Sequence, residues 1–401
     1  MIKVSQLILR VMAIVVLVFL SGQAALQALS TVVALTNPAQ ALQIMPNSTS
    51  RQKTANVMLL TQPDNIPWNK ITELARSALR EDPIASRGLV HLGLNYENEG
   101  QQSLALEAMS LSQTLSRRDL IAQFWLSQQA AREGKIEKYF EHSDIAFTVN
   151  AQSNSIMIPQ LTRAISEPEV QAVFGNYIRQ KPIWLPEVIN QILSEIENPA
   201  HVADTLMLAG GLPEGDVFRA IEGKVINRLI GKGDIQTAKK YFLSLDAKNN
   251  AILSNTRFFS RNVNPATAPM TWGILTGHMS EGNFTSSEDG KSLDLQGQVA
   301  PTGRGEIARK LLFLTPGRYQ VSATGEVDDD GEGSGAFAIL SCASGRPNGE
   351  LMRYTISPKP ILKTVELPST CIAYYMTIEI RASDGQFGLI STIYDIKLDK
   401  L

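Results

Sequence analysis

Near residue 265 the sequence changes its period, and that change restricts the fold more than any other feature. Residues 38 to 260 place apolar side chains three and four apart, the spacing of helices packed along one face. Residues 270 to 401 instead alternate β-branched with polar residues and are punctuated by Gly, Pro and Asp. Ser260 to Met270, rich in Pro and Asn, reads as the connector. Behind an N-terminal segment, 1–36, the chain therefore divides into an all-α part, 37–262, and an all-β part, 268–401.

The first segment bears on location. Lys3 and Arg10 precede a stretch without a charged side chain until Arg51, and Val11 to Leu20 is continuously apolar. Two readings follow. A basic flank, a short apolar run and small residues at Gly22 and Ala24 fit a cleaved signal peptide. The apolar length from Leu7 to Leu26, continued more weakly to Leu35, fits an uncleaved helix that contacts the membrane through residues 7–35. The helix-favouring run after Gln23 favours the anchor. Either way the N-terminus faces the cytoplasm and the bulk of the chain lies outside it.

Within the α part, Leu92, Gly93 and Tyr96 fall on one helical face, Gly100 closes that helix, and Ala105, Met109 and Ser112 share a face of the next. Small residues at Gly93 and Ala105 allow close helix approach. Adding 34 to Leu92 and Gly100 gives Leu126 and Gly134, and Ser112 maps onto Ala146. Gly233, Ala238 and Phe242 repeat the spacing of Gly100, Ala105 and Met109. This periodicity resembles the tetratricopeptide repeat, a 34-residue helix-turn-helix unit, and predicts three to five such units in a solenoid; a plain helical bundle is the alternative. Ile156 to Leu212 fits no repeat and reads as irregularly paired helices broken by prolines.

The β part contains seven or eight strand-like runs over about 130 residues, which predicts a jelly-roll-like sandwich. Thr315-Pro316-Gly317 reads as a tight turn joining two strands. Tyr319, Val321 and Ala323 alternate with Gln320, Ser322 and Thr324, and Met376, Ile378 and Ile380 alternate with Thr377, Glu379 and Arg381. Cys342 ends one strand and Cys371 precedes another. Outside the cytoplasm two such cysteines pair, and a loop of 29 residues would add about 3–4 kcal/mol by chain entropy. Two free buried thiols or a reactive thiol are the alternatives.

Three features carry candidate chemistry. Exposed aromatic faces stack on sugars, which singles out Trp272 and one of Tyr374 and Tyr375, neighbours that point oppositely in a strand; packing in the core is the alternative and the reading for most of the sandwich aromatics. Glu326 to Gly335 gathers carboxylates and glycines and could ligate calcium, but a solvated loop is the favoured reading. Four histidines lie far apart without metal spacing. There is no phosphate loop, dinucleotide glycine pattern, nucleophile elbow or kinase signature, and "AGGLPEGD" follows a helix rather than a strand. Net charge of −2 gives no basic excess for nucleic acid. The expectation is a protein with no catalytic residues, no metal and no cofactor, though paired carboxylates that converge only in the fold escape such a reading.

The stretches "ALREDPIASRGLVHLG" and "SRRDLIAQFWL", then "FLTPGRYQVSATGEV" followed by "FAILSC" and Cys371, together look like a group of bacterial envelope proteins. These begin with a membrane anchor, continue as degenerate tetratricopeptide repeats and end in a disulfide-bearing sandwich similar to carbohydrate-binding modules. The present chain departs from a typical sugar-binding module in having Trp272 as the sandwich's one tryptophan. The resemblance implies a non-enzymatic scaffold in exopolysaccharide or envelope assembly. It would be anchored in the inner membrane, or released to the periplasm after signal cleavage. The repeats would contact envelope proteins and the sandwich a polysaccharide or protein. A pure protein-interaction scaffold and a polysaccharide-modifying enzyme are the alternatives.

Overall fold

The structure is a computed structural model that describes residues 2–149, 153–288, 290–328, 333–343, 349–383 and 388–401, with side chains from residue 11. It divides into two compact units, Met1–Met157 and Ile158–Leu401. The division falls within a helix, far upstream of the change in period near residue 265.

The first unit opens on α1 (Ile2–Val33), of which Val11–Val33 is long and apolar enough to cross a membrane. Then follow α2 (Pro38–Ile44), α3 (Ser48–Thr61), α4 (Trp68–Glu81), α5 (Ser86–Asn98), α6 (Gln102–Leu115), α7 (Leu120–Arg132), α8 (Ile136–Val149) and the start of α9 (Asn154–Ala164). Consecutive helices pack as α3 on α4, α5 on α6 and α7 on α8. Gly93 shows why a small residue is needed between α5 and α6, since a Cβ there would sit 3.0 Å from Met109 Cε. Ala105, Met109, Trp125 and Leu126 form a buried cluster to which Val90, Leu94 and Tyr96 add. Leu92, expected on that face, is half-buried and is not part of that cluster.

Gly100 and Gly134, expected among the packing residues, act differently. Each has φ near the left-handed region, 75° and 69°, and open space where a Cβ would project. Each donates its N–H three residues back, to Glu97 and Ala131, and the following N–H reaches five back, to Tyr96 and Ala130. Gly233, at φ 80°, repeats both bonds with Ile230 and Leu229. These are Schellman turns, which satisfy orphan carbonyls where the helix stops. The small residues Ala146 and Ala238, by contrast, are fully buried packing positions.

The second unit holds the rest of α9, α10 (Pro168–Gln180), α11 (Leu185–Glu195), α12 (Ala200–Ala209), α13 (Asp216–Gly231) and α14 (Ile235–Leu245), followed by a β-sandwich. Here α10 packs on α12 and α11 on α13, a skipped pairing. The strands are β1 (Gly273–Ile274), β2 (Ser280–Ser286), β3 (Leu293–Val299), β4 (Arg304–Leu312), β5 (Gly317–Val327), β6 (Gly335–Cys342), β7 (Glu350–Thr355), β8 (Lys363–Leu367), β9 (Tyr374–Arg381) and β10 (Leu389–Lys400). They form two antiparallel sheets, β1-β4-β9-β6-β7 and β2-β3-β10-β5-β8. Thr315-Pro316-Gly317 therefore does not close a hairpin: β4 and β5 lie in different sheets, and the chain crosses between the layers there.

Two regions are more tightly packed than their sequence suggests. Ser260 to Met270 is not a loose linker. Phe258 packs in the sandwich core, Thr256 Oγ1 donates to Ile396 O at 2.6 Å, and Leu311 N donates to Pro269 O at 2.6 Å. Lys310, fully buried on β4, donates to Ile252 O at 2.9 Å and to Asn262 Oδ1. The outward face of β9 is not open either. Glu379 is buried because Arg304 and Arg353 close over it, at 2.8 and 2.9 Å.

Candidate functional site

The open recognition surface lies on the outer face of β2, β3 and β10. Strand alternation turns Leu295, Gly297, Val299, Leu389, Ser391 and Ile393 inward and their neighbours outward. Register then aligns the outward residues across the sheet. Glu281 lies opposite Gln298, which lies opposite Ile390; Asn283 lies opposite Gln296, which lies opposite Thr392. Glu326 of β5 extends the second row beyond Thr392.

This face is a trough rather than a plane. Gly282 and Gly297 point inward at Ile307 of the opposing sheet, where a Cβ would stand 2.7 Å from Ile307 O and 2.4 Å from Ile307 Cδ1. Without side chains there, the β2–β3 ribbon settles onto the other layer and leaves a concavity outside. Two overlapping hollows of ≈ 460 Å³ and ≈ 540 Å³ share Glu281, Gln298 and Ile390. Among the described residues, the amides of Asn283, Gln296 and Gln298 have no partner within the chain. Each offers a paired donor and acceptor to solvent. Among the described residues, the trough carries one carboxylate, Glu281, and no Lys or Arg; His278 stands at one end. Tyr394, 39% exposed, follows Thr392 along the outer face of β10. Burial, then a hydrogen bond with Glu326 and the charges of Asp294 and Glu288, push its hydroxyl above the usual tyrosine range.

Amides in rows beside an aliphatic and an aromatic side chain can bind vicinal hydroxyls while packing on a hydrocarbon ring face. The sandwich consists of two five-stranded antiparallel sheets. Solved structures similar to it include a carbohydrate-binding module of the β-sandwich superfamily (13% identity, TM-score 0.26, 36% of this chain and 62% of that one). Another is TmCBM61 in complex with β-1,4-galactotriose (12% identity, TM-score 0.24, 36% and 99%). A third is the K2 cleaved adhesin domain of Lys-gingipain (12% identity, TM-score 0.24, 36% and 97%). The chain thus spans less than two thirds of the first of these. No protein-family profile matches the sequence, and no curated protein does.

The aromatic residues expected to stack on sugar are placed elsewhere. Trp272 is fully buried; its indole N–H donates to Thr256 O at 3.0 Å and its ring meets Phe258 edge-on at 5.2 Å. Tyr374 is also buried, with its hydroxyl donating to Pro368 O at 2.9 Å. Tyr375 faces outward as expected of one of the pair, but it is half-buried beneath the Arg309 guanidinium, 5.3 Å from the ring centroid, on the other sheet. Large rings near the sandwich floor fill core volume, so aromatic type alone misled. Cys342 and Cys371 form a disulfide with Cα atoms 5.7 Å apart, joining the end of β6 to the approach of β9. Of the proposed calcium loop, 329–332 lie outside the described residues. Among the described residues, no group of His, Cys, Asp and Glu is arranged to hold a metal ion. The signal of this face in the sequence was the alternation in "EGN", "QGQ" and "IST": outward residues, polar except for Ile390, on both sides of an inward small one.

Proposed function

We propose that the protein is a non-enzymatic, membrane-anchored scaffold of the bacterial envelope that binds a polysaccharide through the β2–β3–β10 trough. The observation that carries this reading is the row of unpartnered amides over a glycine-lined concavity. Ile390 in the trough, and Tyr394 further along the outer face of β10, each offer an exposed apolar surface on which a pyranose ring could pack. The first-unit helices, paired in sequence order around matching Schellman turns, support a tetratricopeptide-like surface for a partner in exopolysaccharide or envelope assembly. Gly22 and Ala24 lie inside the unbroken helix α1, which supports an uncleaved anchor with the bulk of the chain in the periplasm.

Glycan-array binding of the detergent-solubilised full chain tests the sandwich. Gln296→Ala, Gln298→Ala and Tyr394→Ala should each weaken binding about tenfold, the loss of one or two net hydrogen bonds or a ring contact. Trp272→Ala should lower stability instead. Absence of binding to every glycan leaves the second reading, a pure protein scaffold. That reading draws on Leu104, Leu111 and Leu115, exposed along one stripe of α6.

A further inference from the structure

We infer that the outer end of α1, together with α2 and the first turn of α3, sits in the phospholipid headgroup layer, so that the helical unit is mounted directly on the bilayer. The inference rests on reading α1 as an uncleaved anchor. From Val11, the first residue after Arg10, a helix rises about 30 Å to Ser30, one hydrocarbon thickness. A tether would be expected at that point. The structure has a lock instead. Ser30 is fully buried; its hydroxyl donates to Met45 O at 2.6 Å, with Ala41 O at 3.0 Å, and accepts from Asn47 Nδ2 at 3.1 Å. Asn47 is also the N-cap of α3, accepting from Ser50 N at 2.8 Å. One asparagine thereby ties the span to the first helices of the unit, and no free chain separates them.

The composition of this base identifies its neighbour. No charged side chain occurs between Arg10 and Arg51, twice the length one crossing requires. The second half of that stretch folds back as α2 and the start of α3. Leu29, 50% exposed, carries the apolar surface of the span up to the Ser30 lock, and Val32 and Leu35, 64% and 66% exposed, continue it past. An uncharged base that is continuous with a lipid-facing helix fits the boundary between acyl chains and headgroups.

The native cysteines are paired, so a single thiol introduced at exposed Gln43 on α2 can be labelled selectively. The full chain carrying a fluorophore on Gln43→Cys is reconstituted in phosphatidylethanolamine–phosphatidylglycerol vesicles. Quenching by a headgroup-nitroxide lipid and by aqueous iodide is compared with that of Glu133→Cys, at the distal α7–α8 turn. The expected result is several-fold stronger lipid quenching and several-fold weaker iodide quenching at 43 than at 133. Equal iodide access at both positions, with the chain still in the membrane, overturns the mounting but leaves the anchor. Protection from both quenchers at 43 also overturns it, because protein rather than lipid then covers the base. A soluble product lacking the first residues by mass overturns the mounting and the anchor together.

Discussion

His91 is the side chain whose protonation most directly tests the first unit. It is fully buried on α5, and neither ring nitrogen has a hydrogen-bond partner among the described residues. Burial, reinforced by Arg87 and opposed by Asp119, lowers its pKa to about 4. Because the unfolded chain binds this proton more readily, stability is full above the ordinary histidine pKa and is lost as pH falls towards 4. The loss amounts to about 3 kcal/mol over that window. Thermal unfolding at pH 7 and 4.5 should show it, and His91→Leu should flatten the dependence. Lys310 has the same charge problem at higher pH. Burial holds its amine well below the usual lysine range. Here too the unfolded state binds the proton more tightly, so stability rises as pH climbs from the folded value towards the unfolded one. Denaturant midpoints should be higher at pH 9 than at pH 7, and Lys310→Met should abolish the difference.

Among the elements, the β2–β3 ribbon depends on absent side chains. Gly297→Val would drive a branched side chain into Ile307 and Ser391. It should cost about 1–3 kcal/mol by overpacking and lift the ribbon, so glycan binding would fall together with the melting temperature. Gly134→Ala concerns only a turn and should cost about 1 kcal/mol through its left-handed φ, with binding unchanged. Legibility followed the same distinction. The recurrence of Gly100, Gly134 and Gly233 was visible because a Schellman turn demands glycine at a fixed offset from the helix end. The inward Tyr319, Val321 and Ala323 were visible because strand alternation is local. The partner of each strand was not, since β4 pairs with β9 and β5 with β10 across long sequence separations. Trp272 and Tyr374 were misread for a related reason: whether a ring is floor or surface depends on which distant segment covers it. Leu92 failed at finer grain, a helical face being wide enough to hold either it or Val90 and Leu94.

At the scale of the whole molecule, the Cys342–Cys371 disulfide closes a loop of 29 residues around β7 and β8. Cys342→Ser with Cys371→Ser should lower sandwich stability by about 3–4 kcal/mol. Non-reducing peptide mass spectrometry should recover the crosslinked pair from the mature protein. The segment that precedes the sandwich determines how the molecule can be dissected. Phe258, Thr256 and Trp272 together line one wall of the β core, and Lys310 is stitched to the same segment through Ile252 and Asn262. A fragment begun at residue 268, where the strands begin in the sequence, would be a box without one side. It would expose the Trp272 indole and leave the Lys310 amine without its acceptors on Ile252 and Asn262, and it should aggregate on expression. A soluble sandwich fragment needs its first residue upstream of Ile252, and any natural protease that severs the chain between 252 and 272 would weaken the sandwich without touching a strand.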